Sequence, residues 1–242
     1  MAQEPESTNR VIDEVLDAID QRPFIQTLAT IVSEVSPQAD LEQIHQLIQQ
    51  AVRCACLLDL YAETGDAIYA GEMEKQRTAL YGQIPDKFHP KLEKIEEEGK
   101  GFFDEERTLM QRIKSGDTFS EDDIRDYLLG KSRDNVFYGK MLEFLVPGWH
   151  LTDELRIQTM LFDMGDDLVD YDVDVEKGLP NILSMCLQSG IDRGRILHLA
   201  TELRDTALSS GHIDSSPTLK LAIEQNYHQL AERLSSGIVE TE

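Results

Sequence analysis

The chain is short of positive charge. Its 242 residues carry 23 Lys and Arg against 46 Asp and Glu, a formal charge of −23. Nucleic acid and anionic membrane surfaces repel such a polyanion, which excludes both as partners and favours cations as ligands. Cysteine is scarce as well. Cys54, Cys56 and Cys186 form no disulfide framework, no secretory leader precedes them, and Cys54-x-Cys56 has no second pair to complete a zinc site. No apolar run approaches the ~20 residues of a membrane span. These absences describe a soluble cytoplasmic protein with reduced thiols. Period-two alternation, internal repeats and low-complexity tracts are missing too, so strands are not expected.

What the chain does have is helical periodicity with local start and stop signals. Residues 1–8 are polar and are expected to be disordered. Val11, Ile12, Val15, Leu16 and Ile19 recur at helical spacing, and Pro23 opens a second helix through Val35. Asp40 is the expected N-cap of a long helix reaching Tyr81. Residues 86–115 are charged and predict two segments meeting at Gly99-Lys100-Gly101. Ser120-x-x-Asp123 reads as a capping box, Lys131–Val146 as the next helix, and Thr152 as the cap of the one that follows. Pro180, Asp192 and Pro217 each start a further helix. The expectation is one all-α domain over residues 9–242, a bundle of about ten helices around a central cavity.

Two constellations carry the chemistry. Between Asp163 and Asp174, helical geometry puts Asp163, Asp166, Asp167, Asp170 and Asp174 within roughly a 100° arc. Phe162, Met164, Leu168, Val169, Tyr171 and Val173 cover most of the remaining circumference, the pattern of a buried helix. No Lys or Arg lies within the stripe, so its carboxylates repel one another unless cations neutralise them. On the long helix, Asp59, Glu63 and Asp66 share a face that Val52, Ala55 and Cys56 continue as small apolar residues. That sequence of side chains suits a pocket floor leading to a metal-binding mouth. Carboxylates without histidine favour Mg²⁺ bridging to phosphate over zinc or iron. An EF-hand loop begun at Asp170 fails at Val175 and Asn181, where Gly and Glu are required, and the one Glu-x-x-His, Glu42 to His45, is half of a di-iron set.

Phe162-Asp163-Met164-Gly165-Asp166-Asp167-Leu168-Val169-Asp170 resembles the second aspartate-rich motif of the class I isoprenoid synthases, with Asp163 where trans-prenyltransferases usually have Gln. Asp166, Asp170 and Asp174 also fit the spacing of the terpene cyclase metal triad. Lys131-Ser132 is similar to the Lys-Thr pair that touches diphosphate, and Lys177 stands where a basic residue often follows the motif. Asp59-Leu60-Tyr61-Ala62-Glu63 resembles the first motif, closest to its squalene and phytoene synthase form, with Leu60 where the prenyltransferases have a second Asp.

The resemblance implies an isoprenoid synthase-like fold in which three Mg²⁺, held between the two acidic helices, bind an allylic prenyl diphosphate and assist its ionisation. It assigns Lys131, Arg133 and Lys177 to the diphosphate. Val52, Ala55, Cys56, Phe137, Met141 and Met160 would line a dry pocket for the carbocation. The first fifty residues offer only Arg10 and Arg22 and no Gly-Lys-x-x-Arg element for a second diphosphate, which favours cyclisation or elimination over chain elongation. Head-to-head condensation through Asp59 and Glu63 stays open. So does a non-catalytic binding or regulatory subunit that retains the fold. Many relatives dimerise, so the resemblance also points to a homodimer.

Overall fold

The structure is a computed structural model that describes residues 5–236, and for residues 5–9, 62, 63, 99–107, 110, 134 and 135 the backbone alone. Every regular element among them is helical: twelve α-helices and two short 3-10 turns. No helix there is long and apolar enough to cross a membrane. The chain divides into two compact units, Met1–Glu93 with Phe144–Trp149, and Lys94–Glu143 with His150–Glu242.

The first unit contains α1 (Pro5–Asp20), α2 (Pro23–Val35), α3 (Leu41–Thr64) and α4 (Ala67–Gln83). Pro23 sits in the first turn of α2, where its missing N–H costs nothing, and the Asp40 side chain caps α3 by accepting from the Gln43 amide. Helix α3 is the core element. Leu47, Ile48, Ala51 and Leu57 on it are almost completely buried, and α1, α2 and α4 pack against it.

One long helix from Asp40 to Tyr81 does not form. Gly65 turns left-handed (φ +68°) and returns its amide to the Tyr61 carbonyl at 2.8 Å, closing α3. Asp66 then caps α4, its Oδ1 accepting from the Ile68 amide at 3.0 Å. Thr-Gly-Asp is therefore a stop followed by a start, and α3 and α4 form a tight helical hairpin. A guanidinium clamps the N-terminal helix to this pair. Arg53 donates Nε to Asp20 Oδ1 at 2.8 Å and Nη2 to Oδ2 of the same carboxylate.

Helix α5 (His89–Ser115) begins in the first unit and continues into the second. It runs unbroken through Gly99-Lys100-Gly101, where two segments were expected. The second unit adds α6 (Glu121–Lys131), most of α7 (Arg133–Leu145), α8 (Thr152–Val169), α9 (Tyr171–Lys177), α10 (Ile182–Gln188), α11 (Arg193–Ser209) and α12 (Pro217–Ser236). Ser120 and Asp123 make the expected capping box at α6. Thr152 does not cap α8: Leu151 holds that position, while the Thr152 hydroxyl donates to Glu143 Oε1 at 2.7 Å. Helix α8 is the hub, packed by α6, α10, α11 and α12. Residues 5–8, expected to be disordered, form the first turn of α1.

Candidate functional site on the aspartate-bearing helix

The aspartate stripe does not ride on one continuous helix. Helix α8 stops at Asp170, whose backbone (φ −91°, ψ 7°) lies between helical and extended geometry, and α9 resumes at Tyr171. Asn181 explains the break. Its amide donates to the Asp167 carbonyl at 2.6 Å, the acceptor a continuing helix would offer to the Tyr171 amide. The same Nδ2 reaches Asp174 Oδ2 at 2.9 Å. Helix α9 then ends at Gly178 (φ +65°), with the Leu179 amide on the Asp174 carbonyl at 2.8 Å.

Environment divides the five stripe carboxylates. Asp167 is 1% exposed and accepts three donors. These are the Lys131 ammonium on Oδ1, and on Oδ2 the Tyr127 hydroxyl at 3.0 Å and the Ile182 amide at 2.8 Å. Asp166 and Asp170 are exposed, while Asp163 and Asp174 are half-buried.

Burial pushes the Asp167 carboxyl up, against the pull of Lys131, Ile182 and Tyr127. Burial also opposes the Lys131 ammonium, but the carboxylates of Asp167, Asp163 and Asp166 outweigh it and the amine is raised. Both shifts run upward because Asp167 bears most of the pair's desolvation, while the Lys131 side chain keeps 33% of its surface open and is held charged by the carboxylates around it. Burial and the Asp167 charge hold the Tyr127 phenol well above its usual value, so it donates as a neutral hydroxyl.

The apolar cover of α8 is only partly buried. Leu161 and Met164 are in the core, but Phe162 and Val169 are 54% and 60% exposed, and Val173 on α9 is 48% exposed. The expectation of a helix buried over most of its circumference therefore fails, because the neighbouring helices enclose only one arc. The open arc mixes Phe162 and Val169 with Asp166 and Asp170. Of the other residues assigned to diphosphate, Arg133 is half-buried and Lys177 exposed. Met141 and Met160 are core side chains, and half-buried Phe137 stacks edge-on against Tyr138 at 5.9 Å.

In the first unit, Asp59 is exposed on α3, the side chain of Glu63 lies outside the described residues, and Asp66 has left the helix face to act as a cap. Val52 is core and Ala55 is half-buried. Cys56, Asp59 and Leu60 line a groove of about 430 Å³ whose opposite wall is α1, through Val15, Ala18 and Ile19, with Arg22 at its edge in the turn between α1 and α2. Among the described residues, no group of three or more His, Cys, Asp or Glu converges on a space that would hold a metal ion.

Sequence reasoning missed Tyr127, Asn181 and Arg233. Tyr127 stands one turn before Lys131 on α6 and so shares its face, a signal available in the spacing. Asn181 is visible as a helix cap, but its second set of bonds is not. Arg233 donates Nη1 to the Gly165 carbonyl at 2.6 Å from 68 positions away, and nothing local announces it. Comparison with known protein families, with curated proteins and with solved structures finds no match to this chain.

Proposed function

We propose that the open arc of α8 and the turn into α9 bind the head of an allylic prenyl diphosphate through Mg²⁺ and promote its ionisation, in cyclisation or elimination. The observation that carries this reading is the juxtaposition of two exposed carboxylates one turn apart, Asp166 and Asp170, with the exposed apolar side chains Phe162 and Val169. Hard oxygen donors suit Mg²⁺, which keeps several waters and needs few protein ligands. Asp166 and Asp170 would hold it, with Asp163 and Asp174 alongside. Asp167 is committed to Lys131 and takes no part. When bound, the cation supplies Lewis-acid neutralisation of the departing diphosphate. Arg133 and Lys177 add positive charge for the same group, and Phe162 and Val169 offer apolar surface to the hydrocarbon.

A second reading, a helical binding or regulatory subunit, is favoured by one specific feature: the Lys131 ammonium is already held by Asp167. Incubation with geranyl, farnesyl and geranylgeranyl diphosphates plus Mg²⁺ separates the two. Released diphosphate with a hydrocarbon product, lost in Asp166→Asn/Asp170→Asn, supports the enzyme. No turnover, and no Mg²⁺-dependent thermal shift with any of the three, leaves the binding subunit.

A further inference from the structure

We infer that the groove between α1 and α3 is a second binding site, distinct from the aspartate stripe, for one apolar chain of about fourteen carbons with an anionic head. The walls set the chain. Val15, Ile19, Cys56 and Leu60 present apolar surface from two helices held together by the Asp20–Arg53 clamp. A volume of about 430 Å³ falls within the usual size of ligand clefts. Taking a methylene as about the size of a water molecule, ~30 Å³, the groove holds about fourteen carbons.

Arg22 sets the head. In the first unit Arg10 pairs with Glu14, Arg53 with Asp20, Lys75 with Glu72 and Arg77 with Glu74. Lys87 and Lys91 lie over the Phe88 ring. Among the described residues, Arg22 is the Arg or Lys of this unit whose side chain has no partner, and it lines the groove. In a chain of −23, a guanidinium without a carboxylate beside an apolar trough is complementary to an amphiphilic anion. Asp59, also on the groove, divides anions into two classes. A carboxylate can rest on Arg22 alone, whereas a diphosphate beside Asp59 requires a divalent cation between them.

Titration of the full chain with tetradecanoate and with farnesyl diphosphate, each with and without Mg²⁺, tests this by calorimetry. The expected result is saturable binding of one equivalent, either of tetradecanoate independently of Mg²⁺ or of farnesyl diphosphate only in its presence; the arm that binds names the head group. Arg22→Gln should weaken the anion at least tenfold and leave the corresponding alcohol unchanged. Ala18→Trp should fill the trough and abolish both. If Ala18→Trp does not fold, Leu60→Asp places a charge on the opposite wall and should also abolish both. No saturable binding of either anion, or binding that survives whichever wall variant folds, overturns the inference. Asp166→Asn/Asp170→Asn should bind tetradecanoate normally, so the fate of this groove is independent of the stripe.

Discussion

Replacing Lys131 by Met leaves the Asp167 carboxyl buried at 1% exposure without its counter-charge, though still with the Tyr127 hydroxyl and the Ile182 amide. Breaking a buried pair from one side costs about 3–5 kcal/mol. Because 33% of the Lys131 side chain already meets solvent, the low end applies, about 3 kcal/mol. For a unit of this size, that lowers Tm by about 6–12 °C. Asp167→Asn is milder, about 1–2 kcal/mol: the amide oxygen still accepts from Ile182, and Lys131 can turn to water. In the double variant Met faces a neutral amide, so its stability should lie close to that of Asp167→Asn and above that of Lys131→Met. Urea unfolding followed by circular dichroism on the four proteins gives the coupling, expected at about 3 kcal/mol because the double variant loses little beyond Asp167→Asn. Additivity within about 0.5 kcal/mol would refute the ion pair as described. The pH dependence supplies an independent check. The folded-state pKa of Lys131 is raised above its usual 10.5, so its contribution is complete below pH 10.5 and is lost as pH rises through the folded value. The stability gap between wild type and Lys131→Met should hold constant from neutral pH to that point and then close.

The Asp20–Arg53 clamp should behave oppositely. Burial raises the Asp20 carboxyl, but hydrogen bonds from Arg53 and Gln49 and the nearby positive charge together outweigh it, and the pKa falls below its usual 3.8. The clamp's contribution is therefore present above pH 3.8 and lost as pH falls through the folded value, and Arg53→Ala, costing about 1–2 kcal/mol at pH 7, should cost nothing measurable at the acid extreme. Gly65→Ala should lose about 1 kcal/mol in thermal unfolding. A Cβ there meets nothing within 4 Å, so the penalty is purely that of a left-handed backbone at φ +68°. A loss much above that would mean the hairpin turn packs against something else.

Local chemistry explains which parts of the fold were legible. Pro23 at the start of α2, Asp192 before α11, Pro217 opening α12 and the Ser120/Asp123 box each act within one turn, and each appears where the sequence puts it. The break at Gly65 was as readable, because Gly followed by Asp is a stop and a start. The apolar stripe of α3 suggested continuity and overrode that signal. The break at Asp170 was not readable. No Gly or Pro marks it, and its cause is an amide fourteen residues beyond the Asp167 carbonyl it captures. The same limit applies to the candidate site. Spacing brings Asp163, Asp166, Asp167 and Asp170 onto one helix but cannot tell which one the fold buries.

That distinction has a consequence for any acidic motif of this kind. Five chemically identical side chains become three kinds of group because the helices around α8 cover one edge of the stripe and leave the other open. Asp167, enclosed, can only be tolerated with donors, and the chain provides three of them from α6 and the start of α10. Asp166 and Asp170 have water as their solvent, so they can exchange it for a cation without further loss of hydration from the fold. Asn181 links the two sets. By taking the Asp167 carbonyl and the Asp174 carboxylate together, it fixes where the exposed turn begins and how α9 leaves it. An aspartate-rich helix of this type thus keeps one acid to hold its own geometry and leaves others open to solvent, and the partition is decided by burial rather than by position in the motif.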